Sequence, residues 1–107
     1  MAETKPLARL REQLAAGEFE FSQHALRRLV ERNVADQEIC EAGAGAEIIE
    51  DYPGDKYSPS CLLLGFTWQR RALHFQVSRA PDQARVRIIT LYEPDPAEWV
   101  DFRHRRT

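Results

Sequence analysis

Apolar residues change period part-way along the chain. Leu7, Leu10 and Leu14 recur at helical spacing behind Pro6, which suits a first helical turn, and Gly17 closes that segment. Ala25, Leu26, Leu29 and Val30 repeat the helical pattern from about Gln23 to Arg32. Ser22 is placed to cap this second helix, because its hydroxyl can accept from an unpaired first-turn amide. Asn33 tolerates the left-handed conformation that often ends a helix. A third helix is predicted from Asp36 to about Ala42, burying Ile39 and Cys40, with Gly43 or Gly45 as its stop.

From there the pattern becomes that of strands. Glu47 to Tyr52 is closed by Pro53-Gly54-Asp55, a strong turn signal. Ser60 to Trp68 is apolar, and Gln69-Arg70-Arg71 is a tight connection. Ala72 to Ser78 alternates at period two, as a half-buried strand does, and Arg85 to Tyr92 is a fourth strand. Pro94-Asp95-Pro96 breaks it, and Asp95 can cap a short C-terminal helix carrying Trp99. The expected fold is therefore α+β, with two to three N-terminal helices packed on a four-stranded antiparallel sheet. It forms a single domain, 1–107, with its core at about 19–100 and mobile termini.

Composition narrows the class without naming a function. A hydrophobic content of 43% and a charged content of 30% are those of a soluble globular domain. No apolar run reaches the roughly 18 residues of a membrane helix. The N-terminal segment carries Glu3, Lys5, Arg9, Arg11 and Glu12, unlike a signal peptide, so the cytoplasm is the expected compartment. Cys40 and Cys61 read as buried thiols, and no ligand spacing suggests a metal or another cofactor. The net charge of −2 conceals an asymmetry: only Lys5 and Lys56 are lysine among 15 basic residues. Arginine offers a planar fork matched to phosphate and carboxylate oxygens, although base composition of the genome also enriches it.

Within the second helix, His24, Arg28 and Arg32 fall four apart and form a stripe beside the apolar face. On the sheet, His74 alternates away from Leu73, Phe75 and Val77, and Thr90 and Tyr92 are polar tips on an otherwise apolar strand. RNA cleavage without a metal needs a base for the 2′-hydroxyl proton, an acid for the leaving oxygen and cations for the phosphoryl charge. These residue types can fill those roles. Each also has a plain structural use: Arg28 and Arg32 as salt-link partners of Glu31, Glu38 or Glu41, His74 as a sheet-surface residue, Thr90 and Tyr92 as ordinary strand formers.

The blocks of the chain resemble those of a small bacterial domain-of-unknown-function family, DUF4258-like. His24-Ala25-x-x-Arg28-Leu29-x-x-Arg32-Asn33-Val34 is similar to its His-Ala-x-x-Arg-Met-x-x-Arg-Gly-Ile signature. Ile48 to Pro53, Ser58 to Gly65, Leu73-His74-Phe75 and Ile89 to Pro94 extend the likeness over roughly Phe21 to Trp99. Leu29, Asn33 and Ala35 depart from the pattern, where methionine, glycine and a capping serine are expected. The family in turn is similar to the ribonuclease superfold of barnase, colicin nucleases and RelE-type toxins. That resemblance implies a metal-independent endoribonuclease of a toxin–antitoxin pair, with RNA and a zinc-finger antitoxin as partners. It implies His24 as acid or base, Arg28 and Arg32 as phosphate ligands, and Thr90 or Tyr92 as an orienting group; His74, from its place on the opposite sheet face, is the further substrate-binding candidate. The alternative is a non-catalytic protein- or RNA-binding module on the same fold.

Overall fold

The structure is a computed structural model that describes residues 3–107. Three helices, α1 (Leu7–Ala15), α2 (Gln23–Glu31) and α3 (Asp36–Ala44), precede the strands β2 (Glu47–Tyr52), β3 (Ser60–Phe66), β4 (Ala72–Ser78) and β5 (Val86–Tyr92). These four strands form an antiparallel meander. The sheet has a fifth member, β1 (Phe19–Phe21), paired parallel to β5 with Phe19 opposite Val86 and Phe21 opposite Ile88. The order is β1-β5-β4-β3-β2, so the sheet is five-stranded and mixed where four antiparallel strands were expected. A three-residue strand between two helices is too short to show a period, and only its partner on β5 defines it.

One sheet face carries the helices. Leu63 of β3, Leu73, Phe75 and Val77 of β4, and Ile88 and Leu91 of β5 pack there against Leu10, Leu14, Ala25 and Ile39. Two glycines permit close approach: a Cβ on Gly43 would stand 2.4 Å from Leu14 Cβ, and one on Gly65 would stand 2.1 Å from the Ala42 carbonyl oxygen. Gly43 therefore lies inside α3 as a packing residue, and Gly45 is its C-cap. The second helix is less buried than its pattern suggests. Ala25 is buried and Leu29 touches the core, but Leu26 and Val30 are exposed.

The expected C-terminal helix is replaced by a hairpin, β6 (Trp99–Val100) with β7 (His104–Arg105). Asp95 does cap one turn, its carboxylate accepting from the Ala97 amide at 2.9 Å. The chain then reverses through the three-residue loop Asp101-Phe102-Arg103, its first two residues at positive φ and the Arg103 amide donating to the Val100 carbonyl at 3.0 Å. Burial of Trp99 decides the outcome, because its ring packs edge-on to His74 at 4.5 Å on the other sheet face. Phe102 packs on Phe66 at 6.0 Å, and the Arg105 guanidinium lies 4.7 Å from the Trp99 ring centre. Arg105 also bonds the Glu50 carboxylate at 2.8 Å, so the segment expected to be mobile is fastened to β2.

Candidate functional site

Helix α2 is pinned to β5 at its start. The Ser22 amide donates to the Ile88 carbonyl at 3.0 Å, and its hydroxyl donates to the Ile89 carbonyl at 2.6 Å. The same hydroxyl accepts from the Ala25 amide at 3.0 Å, which is the predicted N-cap. A register shift in β5 makes this possible: Ile88 pairs with Val77 and Thr90 with Gln76, leaving Ile89 as the extra residue. Such a bulge frees strand carbonyls that would otherwise be committed to the ladder.

The other end of α2 is held by Arg71, a residue that the sequence pattern marks only as part of a turn. Its guanidinium donates to the Arg32 carbonyl at 2.6 Å and the Asn33 carbonyl at 3.2 Å. It also bonds Glu38 at 3.1 Å and Glu93 at 3.0 Å. Asn33 has φ of 52°, the left-handed residue expected after the helix. Arg71 thus ties together α2, α3 and the end of β5. Hydrogen bonding to Arg71 lowers the pKa of Glu93, and bonding to the Ala35 amide lowers that of Glu38.

Between these two anchors Arg28, Arg32, Thr90 and Tyr92 line one cleft of about 380 Å³. Arg28 faces Glu31 at 3.6 Å on the exposed side of the helix, a kind of pair worth little. Its guanidinium stays available to a ligand. The opposite wall is acidic, made of Glu93, Asp95 and Glu98. Glu93 is already paired with Arg71 and Asp95 is engaged as a turn cap, so much of that negative charge has a partner. His24 is exposed, one helical turn before Arg28, and is not among the residues that line the cleft.

His74 is placed otherwise than a substrate contact requires. It is fully buried, and both ring nitrogens are engaged: Nε2 lies 2.7 Å from the Phe102 carbonyl and Nδ1 lies 3.3 Å from the Tyr92 hydroxyl. A carbonyl can only accept, so Nε2 carries the proton and Nδ1 accepts from Tyr92. Burial lowers the pKa of His74 and raises that of Tyr92, which keeps both neutral. His74 reaches the cleft only through Tyr92. Its alternation on β4 correctly put it on the face away from the helices, but could not reveal the hairpin that covers it.

The thiols differ in burial. Cys61 is fully buried, and burial pushes its pKa up to about 12, whereas Cys40 is only half-buried. Among the described residues no group of three or more His, Cys, Asp or Glu side chains is placed to hold a metal ion. No helix among them is long and apolar enough to cross a membrane.

Residues 21–93 match the family described as Domain of unknown function (DUF4258). The chain belongs to this family. No curated protein and no solved structure matches it. In this DUF4258 chain the matched span holds all of α2, α3 and β2 to β5, and with them His24, Arg28, Arg32, His74, Thr90 and Tyr92. Helix α1 and the hairpin that covers His74 lie outside it.

Proposed function

We propose that this chain cleaves RNA without a metal ion, in the manner of a toxin-type endoribonuclease. The observation that supports this most is the shared cleft of Arg28, Arg32, Thr90 and Tyr92 between the helix and β5. In this reading the two guanidiniums hold the phosphodiester and offset charge that builds on its oxygens in the transition state. The Thr90 hydroxyl orients the phosphoryl group, and Tyr92, whose proton goes to His74, offers the cleft an acceptor. His24, one turn up the helix, takes the proton from the 2′-hydroxyl, whose oxygen attacks phosphorus as the bond to the 5′-oxygen breaks. The 5′-oxygen leaves with a proton taken from water, and the upstream fragment ends in a 2′,3′-cyclic phosphate. The toxin reading places the chain in the bacterial cytoplasm and gives it an antitoxin protein as partner, of the zinc-finger type by family resemblance.

Purified protein incubated with RNA, beside His24→Ala and Arg28→Ala variants, tests the proposal. Cleavage to cyclic-phosphate ends by the wild type is expected, with losses of about 10²-fold or more for each variant. Equal cleavage by all three, or none by the wild type across pH and salt, rejects catalysis at this site.

A second reading, a binding module that does not cut, draws on the acidic wall of the cleft and the exposed Leu26 and Val30 on α2. It predicts a stable complex with a protein partner or RNA that leaves the RNA intact.

A further inference from the structure

We propose that the open half of the sheet face opposite the helices is a nucleobase-binding trough that takes a base with adjacent N–H donors, as on guanine. The proposal rests on the reading of the Arg28–Arg32 cleft as an RNA site and names what that RNA presents next to it. The C-terminal hairpin covers one half of this face, where His74 and Trp99 are buried. The other half is a depression of about 590 Å³, within the size range of small-ligand sites.

Its floor is an ordered polar network. The Gln76 amide nitrogen reaches Asp55 Oδ2 at 3.4 Å and Ser60 Oγ at 3.1 Å, and Ser60 donates to the same Asp55 oxygen at 2.7 Å. A carboxylate only accepts, so this contact fixes which end of the amide is nitrogen and leaves Gln76 Oε1 as the acceptor end of a side chain that lines the trough. The hydroxyls of Ser58 and Ser78 lie 3.1 Å apart on the same floor. On the wall, Gln83 Oε1 is buried without a hydrogen-bond partner among the described residues. A buried acceptor left unpaired is costly, and a ligand N–H removes the cost once the Gln83 side chain turns that oxygen into the trough.

The remaining lining suits a flat ring that carries an anion. Tyr57 stands at the rim with 90% of its surface exposed; Lys56 Nζ lies 5.4 Å from its ring centre, and the other face is one on which a base can stack. Ile89 supplies an apolar wall. Arg87 is held only loosely by Glu20, at 3.7 Å, and can take a phosphate. The trough also adjoins the proposed cleavage site. Ile89 lines the trough and its neighbour Thr90 lines the cleft. Ser22 lines one and Arg28 the other, about 9 Å apart along the α2 axis. A strand with its phosphodiester at Arg28 and Arg32 can therefore lay a neighbouring base against Tyr57 and Gln76.

Amide NMR of the full chain tests this with three probes: guanosine 5′-monophosphate, and 2′-O-methyl RNA hexamers of guanosine or of uridine, which cannot be cleaved. The expected result is movement of the Gln76 and Gln83 side-chain amide signals with the guanosine probes and weaker response to the uridine hexamer. Response to the mononucleotide assigns the trough to a single nucleotide, and response to the guanosine hexamer alone assigns it to a strand; both support the proposal. Tyr57→Ala, at an exposed position that leaves folding intact, should weaken guanosine binding about tenfold. Arg28→Ala should leave the mononucleotide response in place. Silent Gln76 and Gln83 signals with both guanosine probes, equal response to uridine, or unchanged affinity in Tyr57→Ala overturns the proposal. Trough binding by a protein that does not cleave RNA rejects the cleavage reading alone, and cleavage with a silent trough rejects this inference alone.

Discussion

The Tyr92 hydroxyl lies 3.3 Å from Nδ1 of His74, so a side chain that lines the cleft is joined to one buried beneath the C-terminal hairpin. The link has a direction. Phe102 is held at φ 60° and its carbonyl takes the Nε2 proton of His74, which leaves Nδ1 to receive the tyrosine proton. The hairpin thereby sets the orientation of a hydroxyl on the far side of the imidazole. Because Tyr92 is spent as a donor to His74, its lone pairs are what it offers to a donor in the cleft.

Tyr92→Phe removes that donor and leaves a buried ring nitrogen unpaired. The expected loss is about 1–2 kcal/mol of stability, because an orphaned buried acceptor forfeits its solvation without return. Urea denaturation at pH 7.5 measures it. A variant as stable as the wild type, to within about 0.3 kcal/mol, shows that the 3.3 Å contact carries no net energy.

Acid should destabilise the fold through the same imidazole. Burial lowers the pKa of His74 in the folded chain below its ordinary value of 6.5. The unfolded chain therefore binds the proton first as pH falls. Stability is complete above 6.5 and declines below it as the unfolded state is favoured. Glu38, Glu50 and Glu93 also have lowered pKa values, so a further decline begins below their ordinary 4.5. Melting temperatures at pH 7.5, 6.5, 5.5, 4.5 and 3.5, compared with those of His74→Gln, separate the two. The variant should lose most of the slope between 6.5 and 5.5; an unchanged slope there removes His74 from the account.

Arg71→Ala should be among the more damaging polar substitutions in the chain. One guanidinium bonds two carbonyls at the end of α2 and two carboxylates, Glu38 and Glu93. Bonds that involve charged groups contribute about 1.5–3 kcal/mol each in partly buried settings, and they are not additive here because they share one side chain. A loss of about 2–3 kcal/mol in denaturant midpoints is expected. Arg71→Lys should recover less than half of it, because an ammonium cannot reproduce the planar fork. Full recovery by lysine indicates that charge alone, without the geometry, holds α2.

Much of this architecture was legible because local chemistry and tertiary structure agree. Ser22 and Asn33 bound α2 as their side-chain and backbone preferences require, and β2 and β4 match the strands read from their patterns. What escaped was set by partners distant in sequence. Phe19 to Phe21 becomes a strand because β5 has an open edge, and Trp99 enters a strand because His74 needs cover. The stripe on α2 was readable, and so was the polarity of Thr90 and Tyr92. That Arg28 and Arg32, without His24, meet Thr90 and Tyr92 in one cleft depends on the bulge at Ile89 and the Arg71 knot, neither of which has a local signature. The polar trough was invisible for the same reason, since Asp55, Gln76 and Gln83 come from three separate segments.

Gly65 offers the sharpest test of how the helices meet the sheet. It sits one residue before the end of β3, beneath α3, and an added Cβ would lie 2.1 Å from the Ala42 carbonyl oxygen and 2.7 Å from its carbonyl carbon. Those atoms belong to helix backbone, so relief requires α3 to lift from the sheet. At Gly43 the nearest atom, 2.4 Å away, is instead Leu14 Cβ, next to the backbone of α1 and equally hard to displace. Gly45 and Gly54 have nothing within 4 Å and provide controls. Gly65→Ala and Gly43→Ala should each cost about 2–3 kcal/mol or more, in the upper range for overpacking, while Gly54→Ala stays near neutral. Thermal melts of the three variants decide the matter. If Gly65→Ala melts with the wild type, α3 does not approach β3 as closely as these distances state.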